Sequence, residues 1–161
     1  MHPKADLVKR FLAVLIDGLL AGVVVYVFGL FGTFMSGVGT LIGAGYILSR
    51  DGLETPYTDG RSFGKKVIGL RAVTLDGSPM TLQTSIRRNW PLAIGSIVSG
   101  VGSLVSGLGL GILAWPIIAL GGFVGLLGLV EGILVITDDK GRRIGDKSGN
   151  TQVVEEASVE V

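Results

Sequence analysis

The sequence predicts an all-α integral membrane protein with four transmembrane helices, arranged as two hairpins, and a small cytoplasmic β element. Two observations predict this class. No charged residue lies between Gly18 and Ser49, and Glu131 is the single charged residue between Asn89 and Thr137. A soluble chain of 161 residues could not hide two such runs, because most of its helices must expose one face to water. Uncharged apolar runs of this length are typical of membrane spans.

The chain, residues 1–161, is predicted to form one membrane domain with four spans. The predicted spans cover residues 11–31, 34–49, 91–110 and 115–136. The second is marginal for a complete crossing if its helix begins only at Val38, and residues 34–37 are included to lengthen it. Turns are expected at GTFMSG, between the first two spans, and at GILAWP, between the last two.

Two polar segments remain, the central loop 50–90 and the tail 137–161. The loop contains VIGLRAVTL, which has strand character, followed by the turn signal DGSP. Thr81 is a candidate N-cap for the helix that follows. The tail contains TQVV, a second candidate strand, which we expect to pair with the strand of the loop.

The distribution of basic residues predicts the orientation. All 14 lie in three segments, the N-terminus, the central loop and the tail: Lys4, Lys9, Arg10, Arg50, Arg61, Lys65, Lys66, Arg71, Arg87, Arg88, Lys140, Arg142, Arg143 and Lys147. The two predicted turns on the other side carry no charge. Because basic residues concentrate in cytoplasmic segments, we predict a multi-pass protein of the cell (inner) membrane with both termini cytoplasmic.

Two acidic residues lie inside predicted spans, Asp17 in the first and Glu131 in the fourth. Both lie about 8 to 9 Å from the cytoplasmic end of their span, at 1.5 Å per residue. Acids at one depth could form a cation or proton site. The alternative is structural, with an Arg of the loop or tail pairing with Asp17. Arg10 is on the same helix face as Asp17 but about 10 Å away, so we expect no direct pair between them.

The motifs of the chain resemble those of the RDD family of membrane proteins, named for one Arg and two Asp. RFLAVLID carries Arg10 and Asp17, GRSFGKKVIGLRAV and DGSPMTLQTSIRRN follow in order, and GRRIGDKSGNTQVV carries Asp146. The resemblance implies a membrane protein. Some members of the family are associated with cation/proton exchange. Relatives usually have a His directly before the second Asp, where this chain has Gly145.

No pattern in the chain predicts an enzyme or a cofactor. GRSFGKK lacks the spacing of a phosphate-binding loop, DDKG lacks the ligands of a calcium loop, and no metal or nucleic-acid site is expected. The basic residues suit contacts with anionic lipid headgroups, for which the candidates are Lys65, Lys66, Arg87 and Arg88.

Two functions follow as alternatives. The first is a small cation/proton transporter that uses Asp17 and Glu131, and the second is a non-transporting scaffold or accessory subunit. The expected partners are the lipid bilayer and either further copies of the chain or a larger membrane complex.

Overall fold

The computed structural model describes residues 3–158 and is mostly helical. Residues 159–161 of the predicted tail lie outside the described range. Within that range the elements are α1 (Leu7–Gly29), α2 (Thr33–Ser49), α3 (Phe63–Ile68), β1 (Leu70–Thr74), α4 (Leu82–Gly107), α5 (Gly111–Gly125), α6 (Leu127–Thr137), α7 (Ile144–Ser148), β2 (Thr151–Glu155) and a final 3₁₀ turn (Glu156–Ser158).

Three helical segments of the described chain are long and apolar enough to cross a membrane: Leu7–Gly29, Leu82–Gly107 and Gly111–Thr137. The last of these combines α5 and α6. Helix α2 is apolar but shorter, at 17 residues. These helices fit the membrane class predicted from the sequence, whereas the arrangement of four spans in two hairpins stays a prediction.

The observed helix limits differ from the predicted ones on both sides of the third span. Helix α4 begins at Leu82 and continues through Pro91, at which the span was predicted to start. Thr81 precedes it as expected, and its hydroxyl accepts a hydrogen bond from the N–H of Thr84 at 3.2 Å. The turn predicted at 111–114 is the first turn of α5. The chain turns earlier, at Gly109, where φ of 84° suits a glycine.

The chain divides into two compact units. Within the described range, the first unit contains the residues up to Gly18, Leu48–Trp90 and the residues from Val130 onward. The second contains Leu19–Ile47 and Pro91–Leu129.

The second unit is a set of helices that approach closely through glycines. A methyl group at Gly37 of α2 would lie 2.8 Å from the backbone nitrogen of Leu104 in α4. One at Gly95 of α4 would lie 2.6 Å from the Cα of Gly125 in α5. Such contacts are typical of membrane helices, which associate by close packing because lipid supplies no hydrophobic driving force between them.

The first unit contains the β element and a small apolar core. Strands β1 and β2 pair antiparallel, with a register that runs from Leu70↔Glu155 to Thr74↔Thr151. The predicted pairing of the loop strand with the tail strand is thereby confirmed. The apolar core consists of four buried residues, Ala5, Ala13, Leu70 and Val153. Most of the other buried side chains of this unit are polar or charged.

Candidate functional site

Asp17 joins three segments of the first unit. It is buried in α1, and its Oδ2 accepts a hydrogen bond from Nη1 of Arg50, which directly follows α2, at 3.0 Å. Its Oδ1 accepts a hydrogen bond from the backbone N–H of Gly64 at 2.8 Å. Gly64 lies in the first turn of α3, whose backbone N–H groups have no acceptor within their own helix. The contacts of the Asp17 carboxylate therefore include a guanidinium and the first turn of α3.

Helix α3 is held against α1 by a glycine. A side chain at position 64 would collide with the backbone carbonyl of Ala13, so the two helices touch backbone to backbone there. Ser62 caps α3 by accepting a hydrogen bond from the N–H of Lys65 at 3.3 Å. Gly69, at φ 77°, ends the helix and leads into β1.

Asp146 is the centre of a second group of contacts. It is fully buried in α7, and its carboxylate lies between three guanidinium groups. The distances to its oxygens are 2.8 Å from Arg88 Nη2, 3.3 Å from Arg143 Nη2 and 3.4 Å from Arg10 Nη2. Burial alone would raise the pKa of Asp146, but the three positive charges outweigh it and hold the pKa far below its usual range. Asp146 is therefore a permanent negative charge in the first unit.

Asp51 is a third buried acid, which the sequence analysis did not single out. Its carboxylate pairs with the ammonium of Lys65 and accepts a hydrogen bond from Nδ2 of Asn89 at 3.0 Å. Arg88 Nε lies 3.5 Å away, so Arg88 bridges Asp51 and Asp146. Burial would raise the pKa of Asp51, but Lys65, Arg88 and Arg50 outweigh it and keep the pKa well below its usual value.

Lys65 is buried with Asp51 in this group. Burial lowers the pKa of Lys65 from 10.5 to about 7, even though the Asp51 carboxylate acts in the opposite direction. Removing an ammonium from water disfavours its charged form, and the nearby Arg88 and Arg50 add repulsion.

Glu131 pairs with the tail and not with the loop. It is buried in α6, where its Oε1 accepts a hydrogen bond from the N–H of Gly145 at 3.3 Å. Its Oε2 lies 3.6 Å from Nε of Arg143 and has no hydrogen-bond partner within the described residues. The two acids that were predicted to share a site thus have different basic partners, Arg50 for Asp17 and Arg143 for Glu131.

Gly145 lies too close to α4 to carry a side chain. A side chain at this position would collide with the backbone carbonyl of Arg88 in α4. The close approach also presents the N–H of Gly145 to Glu131. A histidine here would require α7 to move away from α4.

Together these contacts form one group of buried charges, which we call the acid–arginine cluster. Its members are Arg10, Asp17, Arg50, Asp51, Lys65, Arg88, Glu131, Arg143 and Asp146. Among the described residues 3–158, no group of three or more His, Cys, Asp or Glu side chains is placed to hold a metal ion. The carboxylates instead face basic side chains.

The four candidate headgroup contacts fall into two pairs. Lys65 and Arg88 are buried within the acid–arginine cluster, whereas Lys66 is half-buried and Arg87 is exposed. The sequence could not separate them, because all four are basic residues near the predicted membrane surface.

The comparison with known families matches the RDD family model to residues 4–150, nearly the whole chain. This chain belongs to the RDD family. The resemblance read from its motifs is confirmed. No curated protein and no solved structure matches the chain. In this RDD protein, Arg10, Asp17 and Asp146 form two separate ion pairs within the acid–arginine cluster, Arg10 with Asp146 and Asp17 with Arg50.

Proposed function

We propose that this RDD protein is a non-transporting membrane scaffold or accessory subunit, in which the intramembrane acids are structural. The observation that supports this most directly is that both acids meet a guanidinium and a backbone N–H from segments outside the spans. Asp17 meets Arg50 and Gly64, and Glu131 meets Arg143 and Gly145. A carboxylate that exchanges cations or protons must be released from its counter-charge in each cycle.

The same contacts suggest what such a scaffold presents to a partner. They hold parts of the loop and the tail together within the first unit. In our proposal the loop and the tail are cytoplasmic and the protein resides in the cell membrane, as the distribution of the 14 basic residues supports. Lys66 and Arg87, which keep exposed surface, are the proposed contacts with anionic headgroups.

Cation/proton exchange remains the second candidate, and Glu131 is the residue that favours it. Its Oε2 has no hydrogen-bond partner within residues 3–158, in contrast to the two bonded oxygens of Asp17. A transport function would therefore use Glu131 as the acid that gains and loses a proton.

One set of measurements distinguishes the two functions. The wild type, Asp17→Asn and Glu131→Gln are compared for ion-dependent proton flux in proteoliposomes and for thermal stability in detergent. A scaffold predicts no flux above that of empty liposomes for any of them and lower stability for both variants. The matched control is Asp139→Asn, the same chemical change at an exposed aspartate. Wild-type flux that Glu131→Gln abolishes while stability is kept would overturn the scaffold proposal.

A further inference from the structure

Helix α3 belongs to a segment that the sequence places in a cytoplasmic loop, yet its contacts place it beside a membrane span. The N–H of Gly64 donates to Asp17, and Gly64 touches the backbone of Ala13. Ala13 and Asp17 lie about 3 and 9 Å beyond Phe11, where the apolar run of α1 begins, at 1.5 Å per residue. Interfacial amphipathic helices bury their apolar face to about 5 to 10 Å. Helix α3 is fixed at a comparable depth.

One flank of α3 carries a charged side chain and the other is apolar. At about 100° per residue, Lys65 lies on one flank of the Gly64 contact, and Phe63 and Val67 lie on the other. The Lys65 flank faces Asp51 inside the acid–arginine cluster. On the opposite flank, Phe63 is 46% exposed and Val67 is 58% exposed. An apolar flank of this kind, opposite a buried charge, suits an apolar environment.

The exposed side chains of α1 at this height indicate what that environment is. At the depth of the Gly64 contact, Phe11 and Val14 of α1 are 65% and 53% exposed. In a helix that crosses a membrane, such side chains face lipid. The ends of α3 are capped by Ser62 and Gly69, so few of its backbone groups are left without partners in an apolar setting.

We infer that α3 is a membrane-embedded interfacial helix whose Phe63 and Val67 contact lipid acyl chains alongside α1. The central loop is then partly immersed in the bilayer, and the same short helix carries Lys65 and Gly64 to the buried acids. This inference goes beyond the scaffold proposal and does not depend on whether the protein transports ions.

The chain contains no cysteine, so single nitroxide labels can be attached at chosen sites without altering the background. Labels are placed at Phe63→Cys and Val67→Cys, with Val14→Cys as the lipid reference and Tyr57→Cys, 84% exposed in the loop, as the aqueous reference. In proteoliposomes, collision rates with oxygen report exposure to lipid, and those with nickel ethylenediamine diacetate report exposure to water. Each variant must first retain the thermal stability of the parent in detergent.

The inference predicts that the labels at 63 and 67 behave like the label at 14, with frequent oxygen collisions and loss of most nickel collisions relative to position 57. Frequent nickel collisions at 63 and 67 would overturn it, because the flank would then face water. Protection from both reagents would also overturn it, because a second copy or another protein would then cover the flank. If Val67→Cys alone retains stability, its label decides the outcome by the same criteria.

Discussion

The Nη2 atom of Arg10 lies 3.4 Å from Oδ2 of Asp146, although 136 residues separate them in the chain. The Arg of the family pattern therefore meets the second Asp, and the first Asp meets Arg50 instead. Arg10 also donates to the carbonyl of Gly141 at 2.5 Å, which ties the start of α1 to the segment before α7. The one Arg and two Asp of the pattern thus make tertiary contacts that join distant segments of the first unit.

Replacing Asp146 by Asn should be the most destabilising of the conservative changes at the buried acids. It leaves Arg10, Arg88 and Arg143 close together without their shared negative charge. Removing one partner of a buried ion pair costs about 3 to 5 kcal/mol. The free energy of unfolding, from denaturant titration in mixed micelles, measures the loss. Asp139→Asn is the control, and an equal effect of the two changes would show that Asp146 is not the centre of the network.

Asp17 and Arg50 should be energetically coupled. Asp17→Asn or Arg50→Met alone leaves a buried charge without its partner, whereas the double variant removes both charges. The double variant should therefore lose less stability than the sum of the single variants, by about 0.5 to 3 kcal/mol. A double-mutant cycle on the free energy of unfolding measures this coupling. If the losses of unfolding free energy are additive, the 3.0 Å contact contributes nothing to stability.

Lys65 should make stability increase with pH on the alkaline side. Its pKa is about 7 in the folded protein and ordinarily 10.5, so between these values the unfolded chain binds more protons than the folded one. Raising the pH through this window therefore increases the free energy of unfolding. Below pH 7 the ammonium is charged in both states, so the full cost of burying it lowers stability there.

The measurement for Lys65 is the stability of the wild type minus that of Lys65→Met, followed from pH 6 to 10. As the pH rises, the free energy of unfolding of the wild type should increase relative to that of Lys65→Met. Lys66→Met, a change at the adjacent half-buried lysine, is the control for the loss of an amine from α3. A flat curve for Lys65→Met would mean that Lys65 keeps an ordinary pKa.

Gly64→Ala should destabilise the protein, because the added methyl group collides with the carbonyl of Ala13. Overpacking of this kind costs about 1 to 3 kcal/mol. Gly18→Ala is the matched control, since nothing lies within 4 Å of its added methyl. Alanine is the better helix former by about 0.8 to 1 kcal/mol, so the control should be neutral or stabilising. The melting temperature in detergent measures both effects. If it shifts in the same direction for both variants, the backbone contact of α3 with α1 is contradicted.

Much of the fold could be predicted from local patterns in the sequence. Charge-free runs predict the helices of the second unit, because a membrane span tolerates few charged residues. The strand signals in VIGLRAVTL and TQVV were sufficient to predict β1 and β2 and their pairing. The expectation that Asp17 finds its partner outside its own helix also holds, because Arg10 is too far along α1.

The identity of the partners could not be predicted in the same way. A charge in a loop ordinarily lies in water, so the sequence favours lipid headgroups as the contacts of Lys65 and Arg88 and gives no sign that Asp51 is buried. They are buried because Asp51, 14 residues before Lys65, and Asp146 of the tail lie beside them.

By itself, the sequence determined the family, and it predicted the membrane class and the motif residues Arg10, Asp17 and Asp146. Only the tertiary structure decided which charges neutralise each other and that α3 lies against α1. The physical reason is that apolar periodicity is a local property of the chain. Burial of a charge is decided instead by whether a counter-charge reaches it from a distant segment.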